Sequence, residues 1–183
     1  MTSTNFILLA AITAGTSLST AAFCQNSTPT SPPPCSGDEF RQLDFWVGDW
    51  NAEWDNPDGS IGHGVNHITR DEFGDCVIYE RFNGNGLVGM SVSTYFAPLG
   101  IWRQTWVDDQ GGYFALIGGP AGEDDPFDFV LTNTRLSENA PFLRMIWQDV
   151  TEDSFTWRWQ GRATREDEWA DRWVIRYTRM DEE

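Results

Sequence analysis

Few side chains in this sequence are placed to do chemistry, and most of them alternate with aromatic rings. Trp102, Gln104 and Trp106 recur at every second position of IWRQTWVD, and Ser91, Ser93 and Tyr95 do the same in LVGMSVSTYF. Residues two apart in an extended strand share a face. Each set is therefore one wall, in which rings are interleaved with hydroxyl or amide groups. Inside a closed sheet, such walls can enclose an apolar molecule and orient its polar end. A Gln between two Trp also needs partners, because an unpaired buried amide costs about 1 to 3 kcal/mol. Arg144, on a later strand, is a further candidate for the polar contact. Glu80 and Asp108 are candidate general acids or bases, since burial raises a carboxyl pKa towards neutrality. The competing reading is that these faces meet water or form satisfied core networks. Periodicity alone leaves open which face is inward.

Other chemistries find less support. His63 and His67 are the only histidines. Their HxxxH spacing suits a metal on a helix. Here Gly62, Gly64 and Val65 favour a strand, on which four residues span about 13 Å, too far for one ion. No metal or other cofactor is therefore expected. A Gly-x-Ser-x-Gly elbow is absent. The stretch Gly118-Gly119-Pro120-Ala121-Gly122 lacks the Lys of a phosphate loop, and the acidic run after it repels phosphate.

The elements that must position these residues are strands. From Trp46 onward apolar residues have period two, with turn signals every eight to twelve positions, as in all-β sandwiches and barrels. The first strand, Val47 to Trp54, puts Trp50, Ala52 and Trp54 on one face. Asn56-Pro57-Asp58-Gly59 turns the chain into Ile61 to Arg70. Gly74-Asp75 leads to Cys76 to Phe82, and Asn83-Gly84-Asn85-Gly86 is a hairpin signal before Leu87 to Phe96. Further strands are Ile101 to Asp108, Tyr113 to Gly118, Phe127 to Thr134, Phe142 to Gln148, Phe155 to Thr164 and Trp169 to Met180. Helical turn survives only at Asp38 to Leu43. About ten strands with short connections predict an antiparallel up-and-down sheet, and closure into a barrel removes its exposed edges. A barrel that wide tends to enclose a ligand cavity.

Ahead of the barrel domain (38–183), residues 1–24 resemble an export signal. The apolar run at Phe6 is too short to span a bilayer, so no integral membrane segment is expected after cleavage. Ala22-Phe23-Cys24 fits a signal-peptidase site, and lipidation of Cys24 is the alternative. Residues 25–37 form a Pro/Ser/Thr-rich linker. Removing the signal leaves Cys35 and Cys76, an even pair suited to a disulfide in a periplasmic or secreted protein. Asp plus Glu number 28 against 12 basic residues, all Arg, for a formal charge of −16. That field disfavours nucleic acid and anionic membrane as partners.

The segments LDFWVGDW, GDCVIYERF, GMSVSTYFAPLGIWRQTWVDDQGG, RMIWQDVTEDSFTWRW and WVIRYTRM together resemble the DUF1579-like proteins, a bacterial family of unknown function. The resemblance covers most of residues 40 to 180 and implies a calycin-type barrel, related in shape to lipocalins and nitrobindins. It also implies that Gly48-Asp49-Trp50 acts as the Gly-x-Trp of lipocalins, with Trp50 packed under Arg176 or Arg179 as a structural plug. The haem site of nitrobindins, built on a C-terminal histidine, does not carry over, because residues 68 to 183 contain none.

Three functional readings follow. The first is an exported barrel that binds a small, apolar or amphipathic molecule. The second is an isomerase or cyclase using cavity carboxylates, and the third is a periplasmic interaction module with an acidic rim. Oligomeric state is not legible from the sequence.

Overall fold

The computed structural model describes residues 33–70, 75–135 and 137–181. The residues expected to form an export signal, Cys24, Gly74 and the expected linker up to residue 32 lie outside the described residues. The chain forms ten strands: β1 (Gly48–Asp55), β2 (Ile61–Arg70), β3 (Val77–Gly84), β4 (Leu87–Phe96), β5 (Ile101–Asp108), β6 (Tyr113–Pro120), β7 (Phe129–Asn133), β8 (Phe142–Gln148), β9 (Ser154–Arg162) and β10 (Ala170–Arg179). Each pairs antiparallel with its neighbour in sequence, and β1 pairs with β10 to close the barrel. The expected all-β, up-and-down barrel is thus the observed fold. Its strand ends differ from the sequence reading by a residue or two.

The turns form for local reasons. Between β3 and β4, Asn85 and Gly86 take φ of 49° and 81°, the left-handed pair that a two-residue hairpin requires. Alternation then sets the faces. Trp50, Ala52 and Trp54 of β1 are buried as expected, while Asn51 and Glu53 between them face water. The inward faces of β4 and β5, which periodicity left open, are those of Ser91, Ser93, Trp102 and Gln104, all buried.

One end of the barrel is plugged. Two 3-10 turns, Asp38–Arg41 and Asp44–Trp46, precede β1. Their rings reach the strand ends around that rim: Phe40 meets Tyr95, Phe45 meets Phe129, and Trp46 meets Trp147 at 5.2 Å. Leu43, Trp46 and Trp50 are fully buried beneath. Trp50 donates its indole N–H to the Trp46 carbonyl at 2.9 Å. The Arg179 guanidinium lies 4.1 Å from the centre of the Trp50 ring and donates to the Val47 carbonyl. Gly48 has a φ of 142°, a conformation that side-chain-bearing residues rarely adopt, and a Cβ there would also meet that guanidinium. Of the two arginines offered for this role, Arg179 takes it. Arg176 points outward and forms an ion pair with Asp55 at 2.8 Å.

The plug is tied to the wall by the disulfide Cys35–Cys76, which joins residues 41 apart with Cα atoms 5.1 Å from each other. Arg70 donates to the Phe40 carbonyl and pairs with Asp44, and Arg41 approaches Asp75 at 3.6 Å. Among the described residues no helix is long and apolar enough to cross a membrane.

Candidate functional site

The far end of the barrel is not filled. The side chains that point inward from the ends of β3, β5 and β9 and the starts of β4, β6 and β10 surround a cavity of about 160 Å³. Phe82, Leu87, Trp106 and Phe114 form one side of it, and Trp157, Trp159 and Trp173 the other. Trp157 and Trp159 lie parallel, 6° apart in plane, and Trp173 stands at 89° to Trp157. Edge-to-face and offset contacts of this kind hold rings rigidly, so the walls are preorganised.

The cavity has a polar floor. Glu80 of β3 is 6% exposed. Asn66 of β2 donates to its Oε1 at 2.8 Å, and Ser91 of β4 donates to its Oε2 at 2.6 Å. The Asn66 amide also reaches the Tyr177 hydroxyl of β10 at 3.4 Å. Burial pushes the Glu80 carboxyl up to about 6, against the pull of the Ser91 and Asn66 hydrogen bonds. Tyr177 is raised well above its ordinary value, first by burial and then by the Glu80 charge. The Oδ1 of Asn66 is buried without a donor.

A measurable stability effect follows. Glu80 has a folded pKa near 6 against 4.5 for the free side chain. The folded state therefore holds this proton more tightly than the unfolded chain. Its contribution is full below pH about 4.5 and is lost as pH rises through about 6, a loss of about 2 kcal/mol. In Glu80→Gln this component disappears. The difference between the two proteins in urea midpoint, followed from pH 4.5 to 7.5, should grow in favour of the variant and then level off.

The other candidate residues divide between the two ends. Trp106 lines the cavity, and its indole N–H donates to Asp108 at the rim at 2.9 Å. Asp108 does not have the raised pKa offered for it as an acid or base. Hydrogen bonds from Trp106 and from the Gly112 and Gln110 amides hold its carboxyl below the usual range. It is an ionised turn acceptor. Trp102 belongs to the plug, where it donates to Gln42 at 3.0 Å and packs against Tyr95 and Phe129. Gln104 donates to Ser93 at 3.0 Å, deep between plug and cavity, and its Oε1 is buried without a partner. Trp102, Gln104, Ser93 and Tyr95 thus face inward without lining the cavity. Ser91 reaches it only through Glu80.

Arg144 is on the wrong face for a ligand contact. Leu143, Met145 and Trp147 point inward from β8, so Arg144 points out. It lies over Trp169 at 4.3 Å and Phe127 at 5.1 Å and donates to Gln160 at 2.7 Å. His63 and His67 also face outward and pair with different carboxylates, Glu53 at 3.4 Å and Asp49 at 2.6 Å. Among the described residues no three His, Cys, Asp or Glu side chains converge on a metal-sized site.

Single-strand reasoning missed Asn66 and Tyr177 at the floor, and Phe82, Leu87, Phe114, Trp157, Trp159 and Trp173 in the walls. A signal was present: Phe155, Trp157 and Trp159 alternate on β9, and Trp173, Ile175 and Tyr177 alternate on β10. No protein-family model matches the sequence, and no curated protein matches it.

Proposed function

We propose that this chain is an exported binding protein of the DUF1579-like, calycin type, and that the cavity at the open end of the barrel holds one small, largely apolar molecule. The observation that carries this reading is a rigid aromatic cavity with a single polar cluster at its floor. Ligand sites are commonly of this form, apolar walls with a few convergent polar groups. The disulfide suits export, because such bridges persist in oxidising compartments. Size narrows the ligand. An apolar cavity of about 150 Å³ takes a molecule such as benzene, so about 160 Å³ suits one ring with a short arm rather than a whole fatty acid.

Bromobenzene tests this, because its heavy atom quenches tryptophan emission on contact. Quenching should saturate with one molecule per chain. Trp106→Ala removes part of the wall and should weaken binding by roughly tenfold, which is about 1.4 kcal/mol, while circular dichroism stays unchanged. Linear, non-saturating quenching would count against the reading.

A second reading is supported by Glu80, a buried carboxyl near pH 6 in a cavity beside Tyr177. Perturbed acids in clefts are frequent catalytic groups. An isomerase or cyclase would use Glu80 to take a proton from the bound molecule and return it. Loss of turnover in Glu80→Gln with binding retained would favour that reading.

A further inference from the structure

Every ionisable side chain lining the cavity is an acid or a phenol: Glu80 at the floor, Asp108 at the rim, and Tyr177. No described residue that lines it is basic. This matters in a protein whose arginines otherwise seek rings. Arginine guanidinium groups lie over Trp50, Phe96, Phe127, Phe142 and Trp169. None of these rings belongs to the cavity wall. The electron-rich faces of Trp157, Trp159 and Trp173 thus have no protein cation among those contacts, and such faces attract one, Trp most strongly.

The floor is short of donors. Glu80 receives one hydrogen bond on each oxygen, and an ionised carboxylate has about four lone-pair sites. Tyr177, which also lines the cavity, accepts from the Asn66 amide and sets a hydroxyl beside the carboxylate. Apolar walls, a carboxylate and spare acceptors together call for a ligand with an apolar body and several N–H groups.

We propose that the natural ligand is a small organic amine bound as its primary ammonium ion, with the charge met by the Glu80 carboxylate and the tryptophan faces and the single-ring body held by the aromatic walls. This rests on the reading of the cavity as a ligand site and names the class of molecule it takes. Three N–H donors on one small head group supply what the floor lacks. The formal charge of −16 favours the approach of a cation over the whole surface.

Phenethylammonium and propylbenzene are close isosteres that differ in the charged, donating head group. Isothermal titration at pH 7.5 and low salt should show phenethylammonium binding at least tenfold tighter than propylbenzene. In Glu80→Gln that margin should vanish. A pH series on the unaltered protein supplies the same test without a variant. The groups facing Glu80 are Asn66 from β2, Ser91 from β4 and Tyr177 from β10, with Asp108 at the rim from β5. Asp108 is held below the usual carboxylate range and Tyr177 well above its own, so of the groups at the cavity Glu80 is the one that titrates near pH 6. Phenethylammonium affinity should fall on going from pH 7.5 to 5, and propylbenzene affinity should not. Equal binding of the two, tighter propylbenzene, or an ammonium preference that survives in Glu80→Gln would each overturn the proposal and leave the cavity a site for a neutral molecule. Failure of both to bind would overturn the ligand-site reading with it.

Discussion

Trp50→Ala should destabilise the domain by about 3 to 5 kcal/mol, the range for removing a large aromatic from a packed core. Trp50 is fully buried at the plugged end. Its ring stands edge-on to Phe155 at 4.7 Å and carries the Arg179 guanidinium on its face. Its indole N–H satisfies the Trp46 carbonyl. Truncation opens a cavity between the first strand and the last and leaves that carbonyl without its donor. A domain of this size is stable by only about 5 to 15 kcal/mol, so the variant loses a large share of the total. The melting temperature should drop by on the order of 10 °C. Trp106→Ala is the control, because that ring already borders a void and its removal creates less new cavity. If the two variants melt alike, Trp50 does not hold the plug.

Removing the Cys35–Cys76 bridge should cost about 4 kcal/mol by loss of the chain-entropy constraint on a loop of this length, given the separation of 41 residues. The bridge fixes the segment ahead of the 3-10 turns to the residue before β3. Without it, the plug is held by Leu43, Trp46 and the arginine contacts, among them Arg41 to the Cys35 carbonyl at 3.3 Å and Arg70 to Phe40 at 2.8 Å. Urea unfolding of Cys35→Ser/Cys76→Ser against the oxidised protein measures the difference. Non-reducing mass spectrometry should find neither thiol open to alkylation until a reductant is added. Two alkylatable thiols in the native protein would contradict the bridge.

The barrel was legible because its signals are local. Period-two alternation and turn residues such as Asn85-Gly86 report on a few neighbouring positions, and a strand needs no more than that. The inward phase of Trp102, Gln104 and Ser93 was not legible, because alternation defines two faces and only closure of the sheet selects one. The position along the barrel bore was not legible. Trp102 and Trp106 share a face four residues apart, yet one is sealed beneath Gln42 and the other borders the cavity. Which end fills depends on where Phe40 to Trp46 fold back, and alternation within β5 carries no trace of that. The floor cluster was hidden for a related reason. Asn66, Glu80, Ser91 and Tyr177 come from four strands and meet only through the register of the closed sheet. Arg144 misled because its chemistry suited a ligand, whereas the phase set by Leu143 and Met145 turned it outward.

The seam between β1 and β10 has a consequence for the route to this structure. Every other strand pair joins neighbours in sequence, so each of those ladders can form as a hairpin with little loop entropy to overcome. The seam alone pairs distant segments, Asn51 with Thr178 and Trp50 with Arg179. Pairings between distant segments are the slow ones, which places closure of the ring late in folding. Contacts that form at the rate-limiting step change how fast a protein folds, and those that form later change mainly how fast it unfolds. Trp50 and Arg179 sit on that seam, so loosening them should slow the closing of the barrel, while contacts within the preformed hairpins weigh less on that step.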